Sequence, residues 1–391
     1  MTVTAPVPAI RRTRIVTART SPVSDWSSLE SEWAELHRRS SYRTFFLGTE
    51  WIGTWLKTYG PVLDIEIVRF FAAAELVGAC LLVSRSRRRG VVWLRSIYLN
   101  ASGEDEWEET GTEFNDLLCL AGWESEVAFA LRRYLDQHDW DEFILNGCCQ
   151  SGMMRALRSA FHGCSEEVKT VPTHYVDLDL IRNRGQAFLM SLSSNARYQV
   201  RQSAKYYEAT GPLGLECART AAESQQMLAE LAGLHQQRWT GKGHSGAFAS
   251  PRFQQFHEGL ISRCHSANQV HLIRVRAGDE TIGVLYNFLA DGRAYFYQGG
   301  FRIASNPKMR PGMVTFQVAM QWYLESGLPE FELMAGDYRY KRSIGNGSRG
   351  LDWCTIRRPS WRNALVAALR RIRALLQRSD PAASLPSEEN Q

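Results

Sequence analysis

The sequence lacks the features that most directly indicate a metal-binding, secreted or membrane-spanning protein. Its eight cysteines form no Cys-x-x-Cys pair, and none lies at zinc-ligand spacing from histidines. Charged residues interrupt every apolar run well short of the ~20 residues that a membrane-spanning helix needs. No apolar segment follows the arginines at positions 11, 12 and 14, which argues against a secretory signal. We therefore expect a cytoplasmic protein without a metal.

Three common catalytic motifs are absent as well. The chain has no Gly-x-Ser-x-Gly elbow, no His-Glu-x-x-His zinc motif and no Gly-x-x-x-x-Gly-Lys-Ser/Thr phosphate loop. What it has is the composition of a globular protein, with 44% hydrophobic and 22% charged residues. A length of 391 residues favours two domains. The net charge of +5 is mild and suits an anionic ligand such as the pyrophosphate of CoA.

One order of predicted elements, helix, three strands, helix and strand, occurs twice along the chain. In the first copy these elements cover 46–60, 64–70, 75–79, 91–99, 124–138 and 143–145. In the second copy the first helix begins at 248, and the others cover 270–275, 280–284, 294–298, 313–326 and 331–333. The second strand of each copy opens with Glu-x-x-Gly, at Glu75 and at Glu280. These matches predict a duplication.

The predicted fold class is therefore α/β (α+β), with two tandem units that each have a mixed, mainly antiparallel sheet flanked by helices. We expect the units to cover 13–180 and 181–358. A disordered lead (1–12), a basic amphipathic helix (359–378) and a disordered tail (379–391) complete the predicted organisation.

The two copies differ in the loop between the third strand and the following helix. The first copy carries a set of acidic residues there, which disfavours an anionic cofactor: Glu104, Asp105, Glu106, Glu108, Glu109, Glu113 and Asp116. The second copy has Lys308, Arg310 and Gly312 before a helix, and these residues predict a phosphate cradle at a helix N-terminus. An ordinary loop with solvated basic residues is the alternative. Any cofactor is expected in the second unit, and the first unit is expected to be structural or acceptor-binding.

Between the copies, residues 182–211 combine arginines with tyrosines. The polar run that ends at Asn195 predicts a capped helix from about that residue, and this helix carries Arg197, Tyr198 and Arg201. Such a pattern is compatible with RNA contact and also with a solvated helix face over buried tyrosines.

Several motifs of the second half resemble a known family. They are Ser194-Asn195-Ala196-Arg197-Tyr198-Gln199-Val200-Arg201, Leu234-His235-Gln236-Gln237-Arg238-Trp239, Phe256-His257, Tyr295-Phe296-Tyr297-Gln298-Gly299-Gly300-Phe301, Pro311-Gly312 and Gly336-Asp337-Tyr338-Arg339-Tyr340-Lys341. Over about 187–345 the chain is similar to the GNAT-like acetyltransferase domains of bacterial cellulose and exopolysaccharide biosynthesis proteins, which are related to Fem-type aminoacyltransferases. The resemblance implies acyl transfer to an amine or hydroxyl acceptor. The glycine-rich pyrophosphate loop of typical GNAT enzymes is missing, which leaves open whether acetyl-CoA or another acyl-CoA is the donor.

Acyl transfer needs a base for the acceptor and proton donors for the carbonyl oxygen and the leaving group. Asp337 follows the last predicted strand of the second unit, with Tyr340 and Lys341 close behind. We predict these three, with His235 and His257, as catalytic candidates, although each histidine would equally suit a structural role.

Residues outside this group are expected to bind the two substrates. We assign Lys308, Arg310 and Gly312 to cofactor binding. A second set is assigned to substrate binding: Arg197, Arg201, Arg238, Tyr297 and Gln298.

The segment 357–378 has seven arginines, no acidic residue, and leucines and isoleucine at helical spacing. This pattern predicts a basic amphipathic helix that either docks on the protein or touches the inner face of a membrane. Three functions stay open at this point. The first is an acyl-CoA-dependent N- or O-acyltransferase with a small-molecule or saccharide acceptor. The others are a Fem-like transferase that uses aminoacyl-tRNA and a non-catalytic accessory protein of a polysaccharide-synthesis complex.

Overall fold

The duplicated order of elements is present in the computed structural model, which describes residues 14–102, 110–241 and 243–378. The predicted lead and tail, and five residues of the acidic loop at 104–109, lie outside these ranges. The first copy, with the helices and strands around it, comprises β1 (Thr17–Pro22), α1 (Trp26–Arg39), α2 (Thr49–Tyr59), β2 (Asp64–Ala72), β3 (Glu75–Arg89), β4 (Val92–Leu99), β5 (Leu118–Cys119), α3 (Glu124–Asp136), β6 (Glu142–Cys149), α4 (Gly152–Ala160) and β7 (Ser165–Asp177).

The second copy begins with three helices and ends with a helix that follows its last strand. It comprises α5 (Leu178–Asn183), α6 (Phe188–Ser191), α7 (Ser194–Glu208), β8 (Leu213–Cys217), α8 (Ala221–Thr240), α9 (Pro251–Cys264), β9 (Val270–Ala277), β10 (Glu280–Ala290), β11 (Arg293–Phe301), α10 (Pro311–Glu325), β12 (Glu330–Ala335), α11 (Arg339–Ile344), β13 (Gly347–Arg357) and α12 (Trp361–Arg378). No helix within the described ranges is long and apolar enough to cross a bilayer.

The strands form one continuous sheet in the order β1-β2-β3-β4-β6-β13-β7-β12-β11-β10-β9-β8, with β5 attached to β3. The pairs β4–β6 and β11–β12 are parallel, and the other pairs of this path are antiparallel. Each half thus repeats three antiparallel strands followed by a parallel one. The mixed α/β fold class predicted from the sequence is confirmed.

The middle of the sheet is built by an exchange of strands between the halves. β13, from the end of the chain, pairs with β6 of the first half, and β7 pairs with β12 of the second half. β7 and β13 also pair with each other along their length, from Gly347↔Tyr175 to Arg357↔Ser165. Neither half therefore completes its own sheet, because the strand beside its last parallel strand comes from the other half.

Aromatic side chains fill the contact between the two halves. Phe45 stacks on Phe288 with ring centroids 4.3 Å apart, and Trp51 meets Phe256 edge-on at 4.9 Å. Phe46 lies 5.7 Å from Tyr295. These side chains are at most 3% exposed, and buried aromatic rings of this size contribute strongly to association. The two copies therefore share a hydrophobic core, and a second cluster of buried residues packs around α10 within the second copy.

Candidate active site

Two strands of the second half separate where the candidate site lies. β11 and β12 pair from Arg293↔Glu330 to Tyr295↔Glu332, and their register contains no later partners. β11 continues beside β10 to Phe301, whereas β12 continues beside β7 across an irregularity to Ala335↔Thr173. The backbone turns left-handed at Met334 (φ 64°) and Gly336 (φ 115°). The result is a wedge-shaped opening between β11 and β12.

Lys341 lies at this opening on α11, the helix that follows β12. Its ammonium donates hydrogen bonds to the carbonyl oxygens of Met334 (3.0 Å) and Ala335 (2.5 Å). The residue is only 4% exposed, and burial lowers the pKa of Lys341 to about 8. Glu113 and Glu332 oppose this effect through their charge. A lysine with a pKa near 8 can exchange a proton close to neutral pH.

A buried carboxyl group occupies the base of the same opening. Glu332 is fully buried, and burial raises its pKa to about 8. The guanidinium of Arg349, on β13, approaches Glu332 Oε2 to 3.6 Å and partly offsets that rise. Glu332 Oε1 accepts a hydrogen bond from the amide of Met334 (3.1 Å). Burial thus shifts the pKa of both an acid, Glu332, and a base, Lys341, at the point where the strands separate.

The first half sends a third ionisable group into the opening. The Glu113 carboxylate accepts a hydrogen bond from the amide of Ala335 (2.6 Å). Three residues earlier, the carbonyl of Thr110 accepts a hydrogen bond from the hydroxyl of Tyr297 on β11 (2.5 Å). The segment from Thr110 to Glu113 therefore touches both strands that border the opening. The sequence assigned these acidic residues to the first unit alone, and the structure brings one of them to the second.

The equivalent opening of the first half is bridged by its own chain. β4 and β6 pair up to Tyr98↔Ile144 and then separate. The side-chain amide of Asn115 donates to the carbonyls of Leu99 (2.8 Å) and Asn146 (3.3 Å), which belong to opposite sides of this gap. Asn115 is fully buried, so its hydrogen bonds tie the two strands together inside the protein.

The predicted catalytic residues near Lys341 have different surroundings. Asp337 is exposed, forms an ion pair with Arg342 (2.7 Å) and shares a hydrogen bond with His174 (3.1 Å). These two contacts hold the pKa of Asp337 below its usual value, with Arg342 contributing more. Tyr340 is half-buried and stacks on Phe316 of α10 at 5.7 Å. Burial raises the pKa of Tyr340, so its hydroxyl stays protonated.

The two predicted catalytic histidines lie among aromatic rings. His257 is fully buried, 4.3 Å from the ring of Phe253 and 4.9 Å from that of Tyr297. Burial lowers its pKa to about 3, which keeps the ring neutral. His235 is 9% exposed, and its Nε2 accepts a hydrogen bond from the indole of Trp239 (2.8 Å). Burial also lowers the pKa of His235. Neither ring contacts Lys341.

Three predicted substrate-binding residues border the opening or face it. Tyr297 and Gln298 are half-buried in the part of β11 beyond its pairing with β12. The register of β10 and β11 shifts at Tyr297, which leaves this residue unpaired in a β-bulge. Gln298 lies opposite Tyr286, whose hydroxyl is 3.4 Å from His257, and Tyr297 also contacts His257, so both side chains share the α9 face. Arg238 is exposed near the end of α8, and its charge lowers the pKa of Tyr340 against the effect of burial.

The predicted phosphate loop lies at the start of α10, whose N-cap is Arg310. The amide of Arg310 donates to Ser203 Oγ (2.8 Å), and its guanidinium donates to the side chain of Gln199. Both partners are on α7, so this contact fastens the loop to that helix. Lys308 is exposed, and Gly312 lies under the ring of Phe301. Phe316 connects this end of α10 with Tyr340, about 8 Å along the helix axis from Pro311.

Arg197 and Arg201 lie on the same helix as Gln199, yet they contact α6 rather than the opening. Arg197 donates to the carbonyl of Met190 (3.1 Å), and Arg201 lies 3.6 Å from the sulfur of the same residue. Tyr198 is 63% exposed between them. The structure therefore joins Tyr297, Tyr340 and Lys341 around one opening and leaves this basic, aromatic face at a separate place.

Two grooves lie away from this opening. One of about 870 Å³ is lined by β8, the start of α8 and residues 265–268, and another of about 520 Å³ lies between α2, α8 and α9. None of the predicted site residues lines either groove. In the part of the chain that the structure covers, no group of three histidine, cysteine, aspartate or glutamate side chains could hold a metal ion.

Sequence reasoning missed Glu113, Glu332 and Arg349 as members of the site. Glu332 carried a usable signal, because a glutamate at a buried position of an apolar strand needs a partner. Glu113 and Arg349 carried none, since Glu113 contacts Ala335 of the other half and β13, which carries Arg349, pairs with strands of the first half.

The comparisons with known proteins agree with this architecture. Residues 194–342 match the model of the acetyltransferase (GNAT) domain. The structure of FemX superposes with a TM-score of 0.51 at 11% identity, covering 83% of this chain and 95% of that one. L-PGS from Bacillus licheniformis superposes with a TM-score of 0.51 at 12% identity, covering 88% and 96%. No curated protein sequence matches the chain.

At such low identity these likenesses concern the fold. They extend over both halves of the chain, whereas the GNAT domain match lies within the second half. The chain therefore has a GNAT-like acyltransferase fold, and its second half contains the segment that matches the acetyltransferase domain.

Proposed function

We propose that this protein transfers an acyl group from acyl-CoA to an amine or hydroxyl acceptor in the opening between β11 and β12. The observation that carries the proposal is that Lys341, Tyr340 and Glu113 lie where β12 separates from β11. An unpaired strand edge can bind an extended chain of amides, such as the pantetheine arm of CoA, through backbone hydrogen bonds. Acetyl-CoA is one candidate donor.

The loop before α10 supports the phosphate end of this substrate. Lys308 is exposed, and the N-terminus of α10 carries the partial positive charge that favours phosphate. Arg310 is already engaged by Gln199 and Ser203, so we assign it to holding the loop in place. We therefore expect Lys308 and the first turn of α10, which includes Gly312, to contact the diphosphate.

The ionisable groups divide the proton transfers between them. As the acceptor nitrogen or oxygen bonds to the thioester carbon, its proton passes to a carboxylate, and Glu113 is our candidate for this base. The protonated ammonium of Lys341 stabilises the negative charge on the carbonyl oxygen. Tyr340, whose hydroxyl is protonated at neutral pH, gives a proton to the departing thiolate. We assign Asp337 to positioning the loop through His174 and Arg342, since its lowered pKa makes it a weak base.

The proposed acceptor is a saccharide. The resemblance to proteins of exopolysaccharide biosynthesis supports a saccharide amine or hydroxyl in envelope or polysaccharide metabolism. We propose that the first half contributes Glu113 and the wall of the site, since Asn115 bridges its own opening.

Thermal shift measurements with CoA, acetyl-CoA and longer acyl-CoAs test the donor. A ligand at about 100 times its Kd adds about 2.7 kcal/mol to the free energy of unfolding, which is a measurable rise in Tm. Lys308→Glu should abolish the shift, whereas Lys169→Glu, which changes an exposed lysine on β7, should preserve it. A Tm that no CoA compound moves would contradict an acyl-CoA donor.

A second candidate function is transfer of an aminoacyl group from aminoacyl-tRNA. The exposed basic and aromatic face of α7, with Tyr198, Arg201 and Lys205, favours it, because exposed arginines and tyrosines bind single-stranded RNA. A gel shift with bulk aminoacyl-tRNA, repeated with Arg201→Glu, distinguishes the two donors. If neither donor binds, the chain is an accessory protein and both transferase proposals fail.

A further inference from the structure

The C-terminal helix α12 is attached to the rest of the protein by polar contacts along one edge. The buried side chain of Asp141 accepts a hydrogen bond from Ser360 (3.1 Å) and pairs with Arg362 (3.5 Å). The side-chain amide of Asn363 donates to the backbone carbonyl of Asp141 (2.8 Å). Val366 is the one large apolar residue within 361–372 that is buried, and it packs in a cluster with Val92 and Leu94.

The apolar stripe of this helix faces away from the protein. Trp361, Leu365, Leu369 and Ile372 recur at helical spacing and are 68%, 39%, 37% and 53% exposed. An amphipathic helix that only closes a fold would bury this stripe against the core. In this protein the polar edge of α12 contacts the rest of the chain, and the apolar stripe is exposed.

The surroundings of the helix are rich in arginine. Residues 357–378 contain seven arginines, residues 84–95 contain five, and neither segment has an acidic residue. The second segment is the hairpin of β3 and β4 on which Val366 packs. Arg87 and Arg89 lie opposite Leu94 and Val92 in the register, so they share the face of the sheet that α12 covers.

This concentration of positive charge contrasts with the rest of the molecule. The whole chain has a net charge of only +5, so the remainder of the chain is net acidic. Asp139, Asp141 and Glu167 pair with part of the cluster, for example with Arg362 and Arg370. Arg371 is exposed on the helix itself.

We propose that α12 and the β3–β4 hairpin form a surface that binds a bilayer containing anionic lipids. A helix with an exposed apolar stripe between arginines lies well in the plane of a membrane interface, with the stripe in the acyl region and the arginines at the headgroups.

Other occupants fit this surface less well. RNA would use the arginines and leave Leu365 and Ile372 in water. A second copy in a two-fold contact would bring two arginine-rich faces together, which like-charge repulsion opposes. The tail at 379–391 has Leu385 as its single large apolar residue, which is too little to cover the stripe.

Vesicle flotation of the full-length protein tests the proposal. We expect binding to phosphatidylcholine vesicles that contain phosphatidylglycerol, weak binding to pure phosphatidylcholine, and release as the salt concentration rises. The double variant Leu365→Glu/Ile372→Glu should weaken binding roughly tenfold for each side chain removed from the bilayer. Arg371→Gln should weaken it roughly fivefold. The matched control is Val62→Glu, which changes a residue of similar exposure (55%) on another surface.

Because every substituted residue is exposed, each variant should keep the Tm of the parent. The proposal is overturned if the parent does not bind anionic vesicles, or if the double variant binds as well as Val62→Glu. It is also overturned if the double variant loses only self-association or only RNA binding. The readout is binding to lipid, so its result does not depend on whether the chain is an acyltransferase.

Discussion

The ε-amino group of Lys341 should lose its proton near pH 8 in the folded protein. Its side chain is 4% exposed, and burial shifts its pKa from 10.5 to about 8. Such a shift means that folding destabilises the charged form relative to the neutral form by about 3 kcal/mol. Because the unfolded chain binds more protons than the folded one between these two values, the contribution of Lys341 to stability rises as the pH rises from 8 to 10.5.

Global unfolding is a poor readout of this effect. Glu332 has a pKa raised by burial to about 8, so its contribution to stability falls as the pH rises from 4.5 through 8. The two contributions oppose each other in neighbouring pH windows. A local probe of the amino group is therefore required.

Lysine-specific carbon-13 labelling followed by NMR supplies this probe, since the chain has only six lysines. The signal that disappears in Lys341→Arg identifies the residue, and its chemical shift against pH should have a midpoint near 8. Glu113→Gln should lower the midpoint, because the charge of Glu113 raises the pKa of Lys341. Glu75→Gln, an exposed glutamate that pairs with Arg39, should leave it unchanged. A midpoint near 10.5, or one insensitive to Glu113, would refute the arrangement of charges in the opening.

The remaining predictions concern turnover and packing. Glu113→Gln should reduce turnover roughly 100-fold while keeping the parent Tm, as expected for loss of a general base, and an unchanged rate would remove Glu113 from the mechanism. Gly300→Ala should cost about 1–3 kcal/mol in urea unfolding, because its new Cβ would lie 2.6 Å from the carbonyl oxygen of Leu231. Its control, Gly233→Ala, meets nothing within 4 Å and should stabilise α8 by about 0.5–1 kcal/mol, so equal effects would contradict the close packing of α8 on β11. Asn115→Ala should lower the free energy of unfolding by about 2–3 kcal/mol through the strand carbonyls it leaves unpaired, and a neutral result in the same assay would contradict its bridging role.

Local patterns in the sequence were sufficient for the elements within each half. Alternating and helical periodicities predicted the elements at 270–326, and the structure has β9, β10, β11 and α10 there. The predicted helix after Ser194 is α7, and its N-cap, Ser193, accepts a hydrogen bond from the amide of Ala196. These elements depend on short-range chemistry, which a single sequence reports well.

The pairing between the halves was not predictable in the same way. β7 contains Pro172 and mostly exposed or half-buried residues, so it has no apolar alternation that reveals a central strand. Its place beside β13 and β12 is set by partners more than 150 residues away in the chain. The same pairing between the halves places Glu113 beside Ala335, 222 residues away in the chain. A contact over this distance leaves no local pattern, so the acidic loop was predicted to lie outside the site.

The candidate site was predicted by position more than by chemistry. The sequence predicted a strand-to-loop transition after 334, and in the structure β12 ends at Ala335 with Lys341 on the helix that follows. The burial of Lys341 could not be predicted from the sequence, because it depends on residues that are distant in the chain. Asp337, Tyr340 and Lys341 are near neighbours in the chain, yet their surroundings range from an exposed ion pair to a buried ammonium. Those differences arise from α10, β13 and the segment at 110–113, which converge on the loop from distant parts of the chain.

A crystal structure with a non-hydrolysable thioether of acetyl-CoA would show directly where the donor binds. We predict the pantetheine arm between β11 and β12 along residues 296–301, the acetyl group beside Lys341, and the diphosphate at Lys308 and the first turn of α10. A ligand held instead in the groove at the start of α8, which Arg219 and Arg274 line, would contradict this prediction. So would an opening that stays closed by Glu113 and Thr110 while the ligand binds elsewhere.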